Sequence, residues 1–133
     1  MQVGGAVDKV SILVIEDEVL ILHVVEEALL DAGFGVVTAT SSLKAIQLLD
    51  DQQIPFRAIV TDVNLGRGGS GWDVARRARE INPDIGVIYV SGHGAEEWAS
   101  HGLPKSIMVT KPFANAQLIT ALSSLLNEHP QSG

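Results

Sequence analysis

The sequence predicts an α/β fold, a five-stranded parallel sheet doubly wound with helices on both faces. Three observations predict it. Five short apolar runs each read as a buried strand: Ile12-Leu13-Val14-Ile15, Phe34-Gly35-Val36-Val37-Thr38, Ala58-Ile59-Val60-Thr61, Val87-Ile88-Tyr89-Val90 and Ile107-Met108-Val109-Thr110. Segments with helical spacing alternate with them, the pattern of a parallel sheet covered on both sides. Four of the five runs stop on a reactive polar residue, and in such sheets ligands bind beyond the carboxyl ends of the strands.

The elements follow in order. After a flexible Gly-containing lead over 1–9, the first strand ends in Glu16-Asp17-Glu18. Glu18 to Ala32 reads as the first helix, closed by Gly33. The run from Phe34 to Thr38 lacks a polar ending and is expected at the sheet edge, leaving the other four side by side. Ser41 or Ser42 can cap a second helix running to about Asp51, and Pro55 marks the loop after it. The third strand ends in Asp62, followed by Val63 to Gly71, read as a flexible loop over the site. That Gly-rich loop lacks the Gly-Lys-Ser/Thr ending of a phosphate-cradling loop. Gly71 to Glu80 gives the third helix, stopped by Asn82-Pro83. The fourth strand ends in Ser91-Gly92, and only a short, weak helix is expected between Gly94 and Gly102. The fifth ends in Lys111-Pro112, and Asn115 is expected to cap the last helix. Its Leu118, Ile119, Leu122, Leu125 and Leu126 follow helical spacing, and a tail over 129–133 is expected to fray.

Composition narrows the function classes. At 133 residues the chain holds one core, the domain over 10–128, and is too short for two. A net charge of −7 argues against a nucleic-acid surface, and Arg76, Arg77 and Arg79 read as the solvated face of a helix. There is no cysteine, hence no disulfide or thiolate metal site. No stretch reaches the roughly 18 apolar residues of a spanning helix, and the start lacks a signal-peptide pattern. A cytoplasmic protein without a membrane partner is the expectation.

Together the strand ends would bring three carboxylates, a hydroxyl and an ammonium into one pocket. Crowded carboxylates raise one another's pKa unless a cation neutralises them. An oxygen-only donor set suits a hard cation such as Mg²⁺. Asp62 is then a candidate nucleophile, since carboxylates form acyl-phosphates in several phosphoryl-transfer enzymes. Ser91 and Lys111 are residue types suited to the oxygens of a transferred phosphoryl group.

The set Glu16-Asp17, Asp62, Ser91 and Lys111-Pro112, in this order and at these strand ends, resembles the receiver domain of two-component response regulators. The resemblance runs from about Val10 to Leu126; each motif alone is weak, but five in register are highly specific. It implies a flavodoxin-like sheet of order 2-1-3-4-5 and a phosphorylation-switched signalling domain. It further implies Asp62 as phospho-acceptor, with catalytic contributions from Ser91 and Lys111. Asp17 would coordinate Mg²⁺ (or Mn²⁺) together with Asp62 and the Asn64 backbone carbonyl, Glu16 acting through water. Such a domain is no conventional enzyme and catalyses only its own aspartyl phosphorylation and dephosphorylation. Its phosphate would come from a histidine kinase or phosphotransfer protein. Output would pass to an unknown downstream protein or onward in the phosphorelay, from a monomer or a phosphorylation-dependent dimer. The chain ends with the fifth helix, so a stand-alone receiver is expected, signalling by the fourth helix, fifth strand and fifth helix. The weak segment from Gly94 to Gly102 is expected to be mobile without phosphate. The Lys111-Pro112 bond is often cis in this family.

Two features depart from the family pattern. Met108 stands three residues before the Lys, where Tyr or Phe is usual, and the Val63–Gly71 loop looks about one residue longer and lacks its proline. Thr110-Lys111-Pro112-Phe113 and Tyr89-Val90-Ser91-Gly92-His93 resemble a subgroup of single-domain receivers found alongside certain alphaproteobacterial histidine kinases.

The first helix carries a further expectation. With Ile21, Val24, Val25, Ala28 and Ala32 facing the sheet, Val19 and Leu30 fall nearly opposite and Leu22 on the flank. These three are read as the docking face for the phosphoryl donor. Trp98 is either a lid on the core or an exposed contact; His93 is read as a loop residue at the pocket mouth, and no chemistry is assigned to His23, His101 or His129. Three rivals are weighed. A flavodoxin-type electron carrier is opposed by Glu16-Asp17-Glu18, which would repel a flavin phosphate. An Asp-nucleophile phosphatase would want an acid where Asn64 stands. A degenerate receiver acting as a constitutive protein-binding module is opposed by the complete acceptor and metal set.

Overall fold

Each apolar run of the sequence becomes a strand in the computed structural model, which describes residues 9–92 and 94–127, without the side chains of 94–97. The expectations for the lead up to residue 8, for His93 and His129 and for the tail over 129–133 lie outside the described residues. The strands are β1 (Ser11–Ile15), β2 (Gly35–Ala39), β3 (Ala58–Asp62), β4 (Gly86–Ser91) and β5 (Ser106–Thr110). All pair in parallel, in the order β2-β1-β3-β4-β5. The run without a reactive ending is therefore at the edge, and the four with one are adjacent. The helices are α1 (Val19–Asp31), α2 (Ser42–Asp51), α3 (Gly71–Ile81), α4 (Gly94–His101) and α5 (Asn115–Asn127).

Successive strand side chains alternate between faces, so every strand feeds two cores. Leu13, Ile15, Ile59, Val87 and Tyr89 pack under α2 and α3; Ile12, Val14, Val60, Ile88 and Val90 pack under α1 and α5. β3 and β4 are buried along their whole lengths, which is why they read as continuous apolar runs rather than alternating ones.

The helix ends have local causes. Ser41 is the cap of α2, its Oγ accepting from Lys44 N–H at 3.1 Å, and Gly33 adopts φ +97° just past α1. Ser70 caps α3 by accepting from Trp72 N–H at 3.0 Å. Asn115 is not a cap: it is already helical, and Gln117 Oε1 reaches back to accept from Ala114 N–H at 3.0 Å.

The phase expected for α1 is corrected. Leu22, Val25 and Leu29 form its inward stripe, whereas Val24 is half exposed and Leu20 is 81% exposed. Leu22 therefore belongs to the core and leaves the docking face; Val19 and Leu30 are exposed as expected. The spacing 22, 25, 29 is an i, i+3, i+7 seam. The loop after β3 folds back on itself. It carries a 3-10 turn at Gly66–Gly68 and an antiparallel bridge between Asn64 and Ser70, and it buries Leu65. The arginine face is also only partly solvated. Arg76 and Arg77 pair with Asp73, Asp50 and Glu80 in the open, but Arg79 donates to the backbone oxygens of Ile85 and Lys105 at 2.8 and 2.9 Å.

Candidate functional site

Asp62 is the last residue of β3, and the neighbouring strands carry Glu16 and Ser91 to the same end of the sheet. Its backbone is held first: Thr61 Oγ1 donates to Asp62 O at 2.9 Å. Its side chain is then divided between two partners. Asn64 N–H donates to Oδ1 at 3.0 Å, and the Lys111 ammonium donates to Oδ2 at 2.7 Å. Lys111 follows the end of β5, and its N–H donates to Ser91 O at 2.9 Å, fastening the ends of β4 and β5 together. The Lys111-Pro112 bond is cis.

Glu16 is as buried as Asp62. Its Oε2 accepts from Glu18 N–H at 3.1 Å, and its Oε1 lies 3.3 Å from Lys111 Nζ. Burial pushes the Glu16 carboxyl up to about 7; the charge of Asp62 adds to this, while the Glu18 N–H and Lys111 oppose it. For Lys111, burial alone would lower the pKa. The hydrogen bond and charge of Asp62, with Glu16 behind it, outweigh burial and hold the ammonium above its usual range. One cation thus faces a cluster of acids, with the exposed Glu18 a third carboxylate at 3.8 Å.

Carboxylate oxygens of Glu16, Asp17 and Asp62 all lie within 4.8 Å of one another. Two of these acids are buried and all their donors are oxygen, so the set fits a hard divalent cation. Asp17, Asp62, Ser91 and Lys111 line one open cavity of about 430 Å³. All six residues singled out in the sequence reach this end of the sheet.

Three contributors escaped the sequence reading. Gly71 packs against the acceptor so closely that a Cβ there would lie 2.1 Å from Asp62 O. Gly66, at φ +58°, would place a Cβ 3.4 Å from Asp17 Oδ2. Glu18 was read only as the start of the first helix, yet it reaches Lys111. The first two signals are glycines in a Gly-rich loop, where composition alone cannot single out one residue.

Beside the site runs an apolar groove of about 500 Å³ between α1 and the segment Lys111-Pro112-Phe113. Leu20, Ile21, Val24 and Val25 form one wall, Pro112 and Phe113 the other. Lys111 borders both the groove and the acidic pocket. No helix among the described residues is long and apolar enough to cross a membrane.

Comparison with known proteins places these features. The family model of the response regulator receiver domain matches residues 12–123. A crystal structure of a response regulator receiver protein from Sinorhizobium medicae is 47% identical, with a TM-score of 0.87, covering 92% of this chain and 98% of that one. The response regulator receiver protein CpdR of Brucella abortus is 28% identical over 86% of this chain and 95% of its own length. The sensor kinase CckA of the same organism is 30% identical over 89% of this chain, which spans only 13% of that kinase. The chain spans about half the length of several other curated relatives.

Proposed function

The chain belongs to the response regulator receiver domain family, and on that premise we propose that it accepts a phosphoryl group onto Asp62 from the phosphohistidine of a histidine kinase or phosphotransfer protein. One Asp62 carboxylate oxygen forms the new bond to phosphorus as the P–N bond breaks, and the imidazole leaves with that electron pair. The product is an acyl-phosphate, which water later cleaves to restore Asp62.

The single observation that carries this reading is the Lys111 ammonium 2.7 Å from Oδ2 of a buried Asp62. The ammonium sets an opposite charge against the buried acid, and Asp62 lines the open cavity that a donor's phosphoryl group would enter. Lys111 is positioned to follow the phosphoryl oxygens as they gain charge, and Ser91 to donate a hydrogen bond to one of them. Asp17, Asp62 and the Asn64 carbonyl would hold Mg²⁺ or Mn²⁺, with Glu16 acting through water. The cation would neutralise the crowded acids and polarise the phosphoryl oxygens.

The phosphoryl donor docks on α1. Val19, Leu20, Val24 and Leu30 are exposed there, and the apolar groove beside them leads to Lys111. The modified domain signals through protein contacts or passes its phosphate onward.

Intact mass after incubation with acetyl phosphate, with and without Mg²⁺, tests the reading. One metal-dependent phosphate on the wild type and none on Asp62→Asn is expected. A wild type that takes no phosphate from acetyl phosphate or from any phosphohistidine donor would make the chain a binding module instead.

A further inference from the structure

Tyr89 is fully buried in β4, two residues before Ser91 and so on the same face of the sheet. Its phenol oxygen accepts from Leu103 N–H at 3.3 Å. The strand that carries Ser91 is thereby tied, through a side chain, to the connection between α4 and β5. A core position with no further role is served by Phe, which has no hydroxyl to desolvate.

The ring of Tyr89 extends the link in the other direction. Its centroid lies 4.5 Å from that of Trp72, the second residue of α3. Trp72 directly follows Gly71, the residue pressed against the Asp62 carbonyl. On its other side Trp72 lies 5.6 Å from His101, the last residue of α4. Three rings thus join the backbone beside the acceptor, the Ser91 strand and the end of α4. Met108, opposite Tyr89 in the β4–β5 register, has neither ring nor hydroxyl for this.

Two other fastenings of the connection, among the described residues, end away from the site. Arg79 donates to Lys105 O, and Trp98 Nε1 donates to Ser106 Oγ at 2.9 Å. The Tyr89–Leu103 bond is also long for an N–H···O contact, beyond the usual limit near 3.2 Å, so little is lost when it is exchanged.

We infer that Tyr89 relays the state of the Asp62–Ser91 site to the α4–β5 connection, its bond to Leu103 acting as the latch of the unmodified form. The inference rests on the acceptor reading above. When Ser91 is drawn toward a phosphoryl group on Asp62, the end of β4 shifts, Tyr89 moves with it, and the latch on Leu103 opens.

Tyr89→Phe removes the hydroxyl and keeps the ring. Wild type, this variant and Met108→Leu are each treated with acetyl phosphate and Mg²⁺. Phosphate is counted by intact mass, and amide exchange is read over 98–106. All three proteins are expected to take one phosphate, and exchange of the β1 and β3 amides reports that the fold is kept. In the wild type and Met108→Leu, protection over 98–106 changes on phosphorylation; in Tyr89→Phe that change shrinks by about fivefold or more, the lower end of ordinary site-to-site coupling. A phosphorylated Tyr89→Phe with the wild-type response overturns the relay and leaves the acceptor reading standing. So does a phosphorylated wild type with no response over 98–106. If no protein takes phosphate from acetyl phosphate or a phosphohistidine donor, the acceptor reading fails and the relay fails with it.

Discussion

Lys111 Nζ sits 2.7 Å from Asp62 Oδ2, although 49 positions separate the two residues in the chain. Asp62 ends β3 and Lys111 follows β5, so the lysine reaches past the end of β4 to meet the acid. Ser91 lies beneath that reach. The pairing therefore reports the sheet order itself, and several outcomes follow from it.

Lys111→Met leaves Glu16 and Asp62 facing each other without their cation. Because the lysine is part-exposed, the expected loss in metal-free protein is about 1–3 kcal/mol rather than the larger cost of breaking a fully buried pair. Urea unfolding in EDTA measures it, and Mg²⁺ should shrink the difference. Phosphoryl uptake from acetyl phosphate should fall about tenfold or more, as when other charge-stabilising donors are removed.

Glu16 makes stability depend on pH. Its carboxyl is raised in the folded state from 4.5 to about 7, so the folded protein holds this proton more tightly. The favourable contribution is complete below about 4.5, declines as pH rises and is gone above about 7. In metal-free protein this component lowers Tm across that window. Added Mg²⁺ should raise Tm more at about pH 8 than at about pH 5, and Asp17→Asn should remove most of that gain. Calorimetry at the two pH values checks both.

Gly71→Ala should be severe, because the new Cβ would lie 2.1 Å from Asp62 O and 2.8 Å from Thr61 Oγ1. Backbone cannot yield as a flexible side chain does, and overpacking of this kind costs about 1–3 kcal/mol or more. Phosphoryl uptake should fall with stability, since the clash displaces the acceptor. Gly92→Ala is the control: its Cβ would meet nothing within 4 Å, and it should be nearly neutral in thermal unfolding.

The two kinds of leucine on α1 should behave differently. Leu20→Glu with Val24→Glu charges the groove wall. It should slow transfer from a phosphohistidine donor about tenfold or more, the cost of one or two interface anchors. Modification by acetyl phosphate should be untouched. Leu22→Ala should instead destabilise the fold by about 2–4 kcal/mol through a core cavity, with little effect on docking. Parallel rate and unfolding measurements separate the two.

Much of the site was legible beforehand for a local reason. A strand buried on both faces is a short apolar run, and a parallel sheet gathers its carboxyl ends on one side. The residue that stops each run was therefore a candidate for the site. Glu16, Asp17, Asp62, Ser91 and Lys111 could all be named this way. Ser70 as a cap and the closed turn over Gly66–Gly68 were harder to see, because a Gly-rich stretch offers many turns and only its packing selects one.

The sequence by itself determined the element types, the edge place of β2 and the chemistry at the strand ends, since periodicity and residue type are properties of short segments. The apolar residues alone could not set the phase of α1. Val19, Leu20, Ile21, Leu22, Val24 and Val25 spread nearly all round its first two turns, and only the polar residues His23, Glu26, Glu27 and Asp31 along one side mark the face turned from the sheet. Tertiary packing decided it, burying Leu22 and Val25 and leaving Leu20 and Val24 beside the groove. Packing also decided that the two oxygens of Asp62 face different partners, and that Tyr89 meets Leu103. These relationships join segments far apart in the chain, and their geometry exists only once the layers have stacked.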